Sequence, residues 1–86
     1  MKYAAFIGFE NQERIPEVDP AHRAYLASLK EHGKLWAAGP FDDGSGALII
    51  YEAESEDEVN DIIDHDPFHE AGVFSTYIVR PWVQAF

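Results

Sequence analysis

Eighty-six residues make one domain, and a domain this small buries only about 60% of the surface its unfolded chain exposes. Six Lys and Arg against sixteen Asp and Glu give a net charge of −10, which repels phosphate and makes nucleic acid a poor partner. A hydrophobic content of 47%, with 14% aromatic residues, argues for a real core, and the lack of cysteine excludes disulfides, a thiol nucleophile and a cysteine-based zinc site.

The elements follow in chain order. Residues 2–9 (KYAAFIGF) read as a strand, rich in aromatic and β-branched side chains. Residues 11–18 are polar and read as a loop. Asp19-Pro20 predicts a helix start, with Asp as the cap and Pro at the first helical position. That helix runs to about His32 and stops at Gly33. Residues 35–41 read as a second strand, and Asp42-Asp43-Gly44-Ser45-Gly46 as the turn of a hairpin. Residues 47–53 form the third strand. Ser55 and Glu58 fit a capping box opening a second helix, which ends near Asp66 because Pro67 cannot continue it. Residues 73–82 form the fourth strand. No segment reaches the roughly 18 apolar residues of a membrane span. The N-terminus lacks the layout of a secretory signal, so a cytoplasmic protein is expected, with no membrane partner.

The order βαββαβ predicts an α+β, ferredoxin-like domain: a four-stranded antiparallel sheet with both helices on one face. The other face should then be polar, and it is not. Tyr3, Ala5, Ile7 and Phe9 oppose Ala4 and Phe6; Ala47, Ile49 and Tyr51 oppose Leu48 and Ile50; Val73, Tyr77 and Val79 oppose Phe74 and Ile78. Two apolar faces need two covers, and a second copy of the chain is the simplest second cover. A homodimer is therefore expected.

Two polar residues fall on apolar helix faces. His22, Tyr25, Leu26 and Leu29 share the i, i+3, i+4, i+7 stripe of the first helix. Val59, Ile62, Ile63 and Asp66 share that of the second. Asp66 would then lie at the negative end of the helix dipole and on the inward side, both unfavourable. Such broken local rules tend to mark functional sites. A carboxylate that merely caps the backbone around Pro67 and Phe68 is the plainer alternative. Together His22 and Asp66 would form a base and its orienter, suited to proton transfer. His65 and His69 have the i, i+4 spacing of a metal pair, but Pro67 interrupts their helix and no third soft ligand is evident, so no metal is expected. His32 suits a helix C-terminus. Arg80 is the only base after Lys34, while nine of the sixteen acids lie between Glu52 and Glu70. It pairs with an acid or meets a substrate anion.

Several segments, taken in order, resemble the YCII domain family. They are Pro20-Ala21-His22-Arg23-Ala24-Tyr25-Leu26, Gly33-Lys34-Leu35, Ala38-Gly39-Pro40, Asp66-Pro67-Phe68 with Ala71-Gly72-Val73, and Arg80-Pro81-Trp82. The resemblance spans nearly the whole chain. It implies a dimeric α+β barrel, akin in fold to muconolactone isomerase-like and antibiotic-monooxygenase-like proteins. It also implies an active-site His and Asp, which carry over to His22 and Asp66. One branch of the family is associated with removing chloride from chlorinated hydroxyquinol rings.

The expected function is thus a cofactor-independent enzyme abstracting a proton from a small aromatic or oxygenated ring compound, by isomerisation or elimination. His22 would be the base and Asp66 its orienter. Tyr25, Trp36 and Arg80 are candidate substrate-binding residues. No Gly-rich phosphate-binding motif is present. The rival reading is a ligand-binding or interaction module without catalysis, which the same fold supports.

Overall fold

The computed structural model describes residues 1–86 and contains four strands and three helices. They are β1 (Lys2–Phe9), α1 (Ile15–Glu31), β2 (Leu35–Pro40), β3 (Gly46–Glu52), α2 (Glu56–Asp64), α3 (Pro67–Glu70) and β4 (Phe74–Trp82). A single 3-10 turn, Gln12–Arg14, leads into α1. The strands form one antiparallel sheet in the order β2-β3-β1-β4, the ferredoxin-like arrangement. No helix is long and apolar enough to cross a membrane.

The first helix begins at Ile15, four residues before the expected Asp19. Pro16 occupies its first turn, where a missing N–H costs nothing because no intrahelical partner exists there. Pro20 therefore lies inside the helix. Asp19 caps nothing; it pairs with Arg23 one turn on, at 2.7 Å. At the other end Gly33, at φ 73°, takes the left-handed conformation that closes the helix. Its N–H reaches Lys30 O at 3.1 Å, and Lys34 N–H reaches Leu29 O at 2.8 Å.

The second helix also differs. It stops at Asp64, and the chain restarts as α3 with Asp66 as its N-cap. Pro67 drives this break: the residue before a proline is pushed out of the helical region, and Asp66 sits at φ −70°, ψ 131°. Ser55 caps α2 as the sequence suggests, accepting from Glu58 N–H at 3.2 Å.

The core lies between the helices and one sheet face. Tyr3, Ala5 and Ile7 of β1 and Ile49 and Tyr51 of β3 pack with Val59, Ile63 and Phe68. Register places Ala4, Phe6, Leu48, Ile50, Ile78 and Arg80 together on the opposite face. That face is apolar and largely bare: Phe6 is 47% exposed and Ile78 57%. One residue departs from simple alternation. A register shift at Gly8/Phe9 pairs Phe9 with Phe74 and turns Phe74 into the core, away from Ile78.

Candidate functional site

His22 is the one buried residue of α1, and it meets Asp66 across the helix layer. Nδ1 lies 2.7 Å from Asp66 Oδ1. In the neutral imidazole a carboxylate acceptor places the proton on Nδ1 and leaves the lone pair on Nε2. The imidazole lies flat on Phe68, ring centroids 3.9 Å apart and planes 11° from parallel, with Phe74 edge-on at 6.0 Å. Stacking on one side and the Asp66 bond on the other fix the ring. Nε2 is left without a protein partner on the wall of a cavity.

Asp66 is fully buried, and its Oδ1 also accepts Phe68 N–H at 2.9 Å. The backbone cap that the sequence offered as the plainer reading is thus present, and the same oxygen meets His22. The expectation of a charge at the wrong end of a helix dipole is corrected: Asp66 stands at the N-terminus of α3, where a carboxylate is favoured. Oδ2 is buried without any hydrogen-bond partner. Its charge adds to burial in holding the phenols of Tyr51 and Tyr25 neutral above the ordinary tyrosine range; burial is the larger cause for both.

The cavity measures about 420 Å³, within the range of small-molecule sites. One wall is a stripe of α1: Ile15, Asp19, His22, Arg23 and Leu26. Facing it are Ala38, Gly39 and Pro40 of β2, with Ala47 and Ile49 of β3. Phe9, Phe68 and Phe74 complete the apolar lining. The result is an apolar slot with His22 in its wall.

The three expected substrate-binding residues lie elsewhere. Tyr25 braces the helices, its hydroxyl donating to Ile62 O at 2.7 Å. Trp36 lies under Lys2 Nζ, 4.9 Å from the ring centroid, and Lys2 belongs to the open sheet face. Arg80 is on that same face, in register with Ala4. Tyr25 falls on the i+3 side of His22, toward α2, and the strand period sends Arg80 away from the helices. His65 and His69 sit on separate elements, His65 Nδ1 against Asp61 O and His69 beside Asp64. Sequence reasoning missed the aromatic cage of Phe68 and Phe74. It also missed Asp19 and Arg23 on the lip. The i, i+4, i+7, i+11 spacing of Ile15, Asp19, His22 and Leu26 marks that wall once the helix start is placed correctly.

Comparisons with known proteins agree with this fold. The YCII-related domain model matches residues 1–83. Protein YciI of Escherichia coli is 33% identical over 87 aligned residues, covering 90% of this chain and 89% of that protein. An uncharacterised protein of Haemophilus influenzae is 32% identical and covers 76% of each chain. Among solved structures, 5-chloro-2-hydroxyhydroquinone dehydrochlorinase (TftG) of Burkholderia phenoliruptrix, in complex with 2,5-dihydroxybenzoquinone, superposes with a TM-score of 0.82. It is 35% identical, and the match covers 99% of this chain and 96% of TftG. At3g17210 of Arabidopsis thaliana, at 14% identity and TM-score 0.51, shares the fold alone. On sequence and architecture together, the chain belongs to the YCII-related domain family.

Proposed function

We propose that this protein is an enzyme that removes a proton from a small hydroxylated aromatic or quinone-type ring, with His22 as general base and Asp66 as its orienter. The observation that carries the reading is the 2.7 Å bond from His22 Nδ1 to a fully buried carboxylate, which leaves Nε2 free at an apolar slot. Nε2 takes a proton from the bound ring, and Asp66 stabilises the imidazolium that forms. In an elimination the freed electron pair becomes the new double bond, and a halide leaves the ring with its own pair. In an isomerisation the imidazolium returns the proton to a different ring atom. Neither course needs a redox group, so the enzyme works without a cofactor. The likeness to TftG supports a ring substrate and makes dehydrochlorination the first activity to test.

The same reading takes the open sheet face as the seat of a second copy, giving a homodimeric barrel. Its exposed Phe6, Trp36, Ile78 and Trp82 support that pairing. The test of function is chloride release from 5-chloro-2-hydroxyhydroquinone, with hydroxyhydroquinone exchange in D2O as a second assay. Wild type should turn over or exchange; His22→Ala should lose at least a hundredfold. Equal rates in the two proteins would remove His22 from the chemistry.

A further inference from the structure

We infer that Arg23 is the specificity residue of this site and binds a planar oxyanion, such as a carboxylate, carried by the ring in the slot. The inference rests on the reading above only in taking the slot as the substrate site.

Five of the six cations are committed elsewhere. Lys2 bonds Glu52 at 2.7 Å, and Lys34 bonds Glu58 at 3.0 Å. Arg14 donates to Ala71 O and Glu17, and Lys30 donates to Trp36 O. Arg80 is on the far face of the sheet. Arg23 alone lines the cavity. It lines the same cavity as His22.

Its side chain is built to present a fork. Nε donates to Asp19 Oδ2 at 2.7 Å, which fixes the guanidinium plane from behind. Nη1 and Nη2 have no protein partner, and the side chain is 78% exposed at the mouth of the slot. Two parallel N–H groups on a positioned plane match a carboxylate bidentately, as a lysine cannot. An exposed i, i+4 ion pair adds little to stability, so folding alone does not account for placing one here. The wall opposite, Ala38, Gly39 and Pro40, carries no charge, and the cavity's one carboxylate, Asp19, is already paired with Arg23 Nε. In a chain of net charge −10, a local cation is what lets an acidic ring approach at all. Arg23 therefore holds the anionic end of the ring while the aromatic cage and His22 take the other.

Isothermal titration with 2,5-dihydroxybenzoate and its methyl ester separates charge from shape. The wild type should bind the acid at least tenfold more tightly than the ester, and the ratio should fall with added salt. Arg23→Gln should bring the ratio to about one while leaving the ester's affinity within twofold. A ratio near one in the wild type, a ratio that survives Arg23→Gln, or no binding of either compound overturns the assignment. Failure of the base reading is seen separately: His22→Ala would then keep full turnover, whatever the acid-to-ester ratio.

Discussion

Asp66→Asn changes one functional group and keeps its volume. In the native site Oδ1 accepts two donors, His22 Nδ1–H at 2.7 Å and Phe68 N–H at 2.9 Å. The asparagine carbonyl can keep both, and asparagine is itself a good helix cap. Its NH2 group then occupies the place of Oδ2, which is buried and has no partner. A stranded buried donor costs about 1–3 kcal/mol. At roughly 4–8 °C per kcal/mol for a domain of this size, the melting temperature should fall by about 4–24 °C. Activity should fall much further. The amide carries no charge to stabilise imidazolium, and well-placed acid–base partners contribute about 10²–10⁴ in rate. At 1.36 kcal/mol per decade that is about 3–5 kcal/mol on the barrier. Asp66→Ala is the control: it removes the cap as well, so it should melt lower than Asn with a similar loss of rate. Thermal melts and chloride-release kinetics on the two variants give all four numbers. If Asp66→Asn keeps kcat/KM within threefold of wild type while its melting temperature drops, Asp66 is a cap and nothing more, and the dyad reasoning is refuted.

Three further outcomes follow from the same structure. Ile78→Glu, which places a charge on the bare sheet face, should convert a dimer to monomer in sedimentation equilibrium; a wild type that is already monomeric at micromolar concentration would sink the pairing. Tyr51 stays neutral in the fold above the ordinary phenol range, because of burial first and the Asp66 charge second. The unfolded phenol ionises near pH 10, so stability is fully present below that pH and declines as pH rises beyond it. Tyr51→Phe should flatten the alkaline decline in chemical-denaturation midpoints. Pro20→Ala restores a helical N–H inside α1 and should raise the melting temperature, since interior proline costs up to about 3 kcal/mol against alanine; an unchanged or lower midpoint would show that the stiffer unfolded chain outweighs the missing bond.

Strand and hairpin positions were legible because alternation and turn chemistry are local, and so was the βαββαβ order. His22 and Asp66 stood out as polar residues on apolar stripes, although the stripe that singled out Asp66 belongs to a helix that ends two residues earlier. What joins them is tertiary: α1 and the α2–α3 junction are 44 residues apart in sequence at the point of contact. The early start of α1 was hidden by two prolines four apart, each a valid first-turn signal. Asp19 looked like a cap because its true partner, Arg23, is visible only once the helix already surrounds it. Phe74 was misplaced for a similar reason. A one-residue shift against β1 reverses its side, and nothing in residues 73–82 signals it.

The shared oxygen of Asp66 ties the histidine to the shortest helix of the fold. α3 is a single four-residue turn, capped by Asp66 and closed by Gly72 at φ 76°. Proteins open locally, in units smaller than the domain, without unfolding as a whole. Each opening of α3 releases Phe68 N–H, withdraws the ring on which His22 lies and loosens Oδ1. If the turn opens, the His22–Asp66 contact is lost with it, and apparent ligand affinity would scale with the closed fraction. Amide hydrogen exchange at Phe68 becomes a direct gauge of it. A ligand that fills the slot and presses the ring onto Phe68 should slow that one amide more than its neighbours.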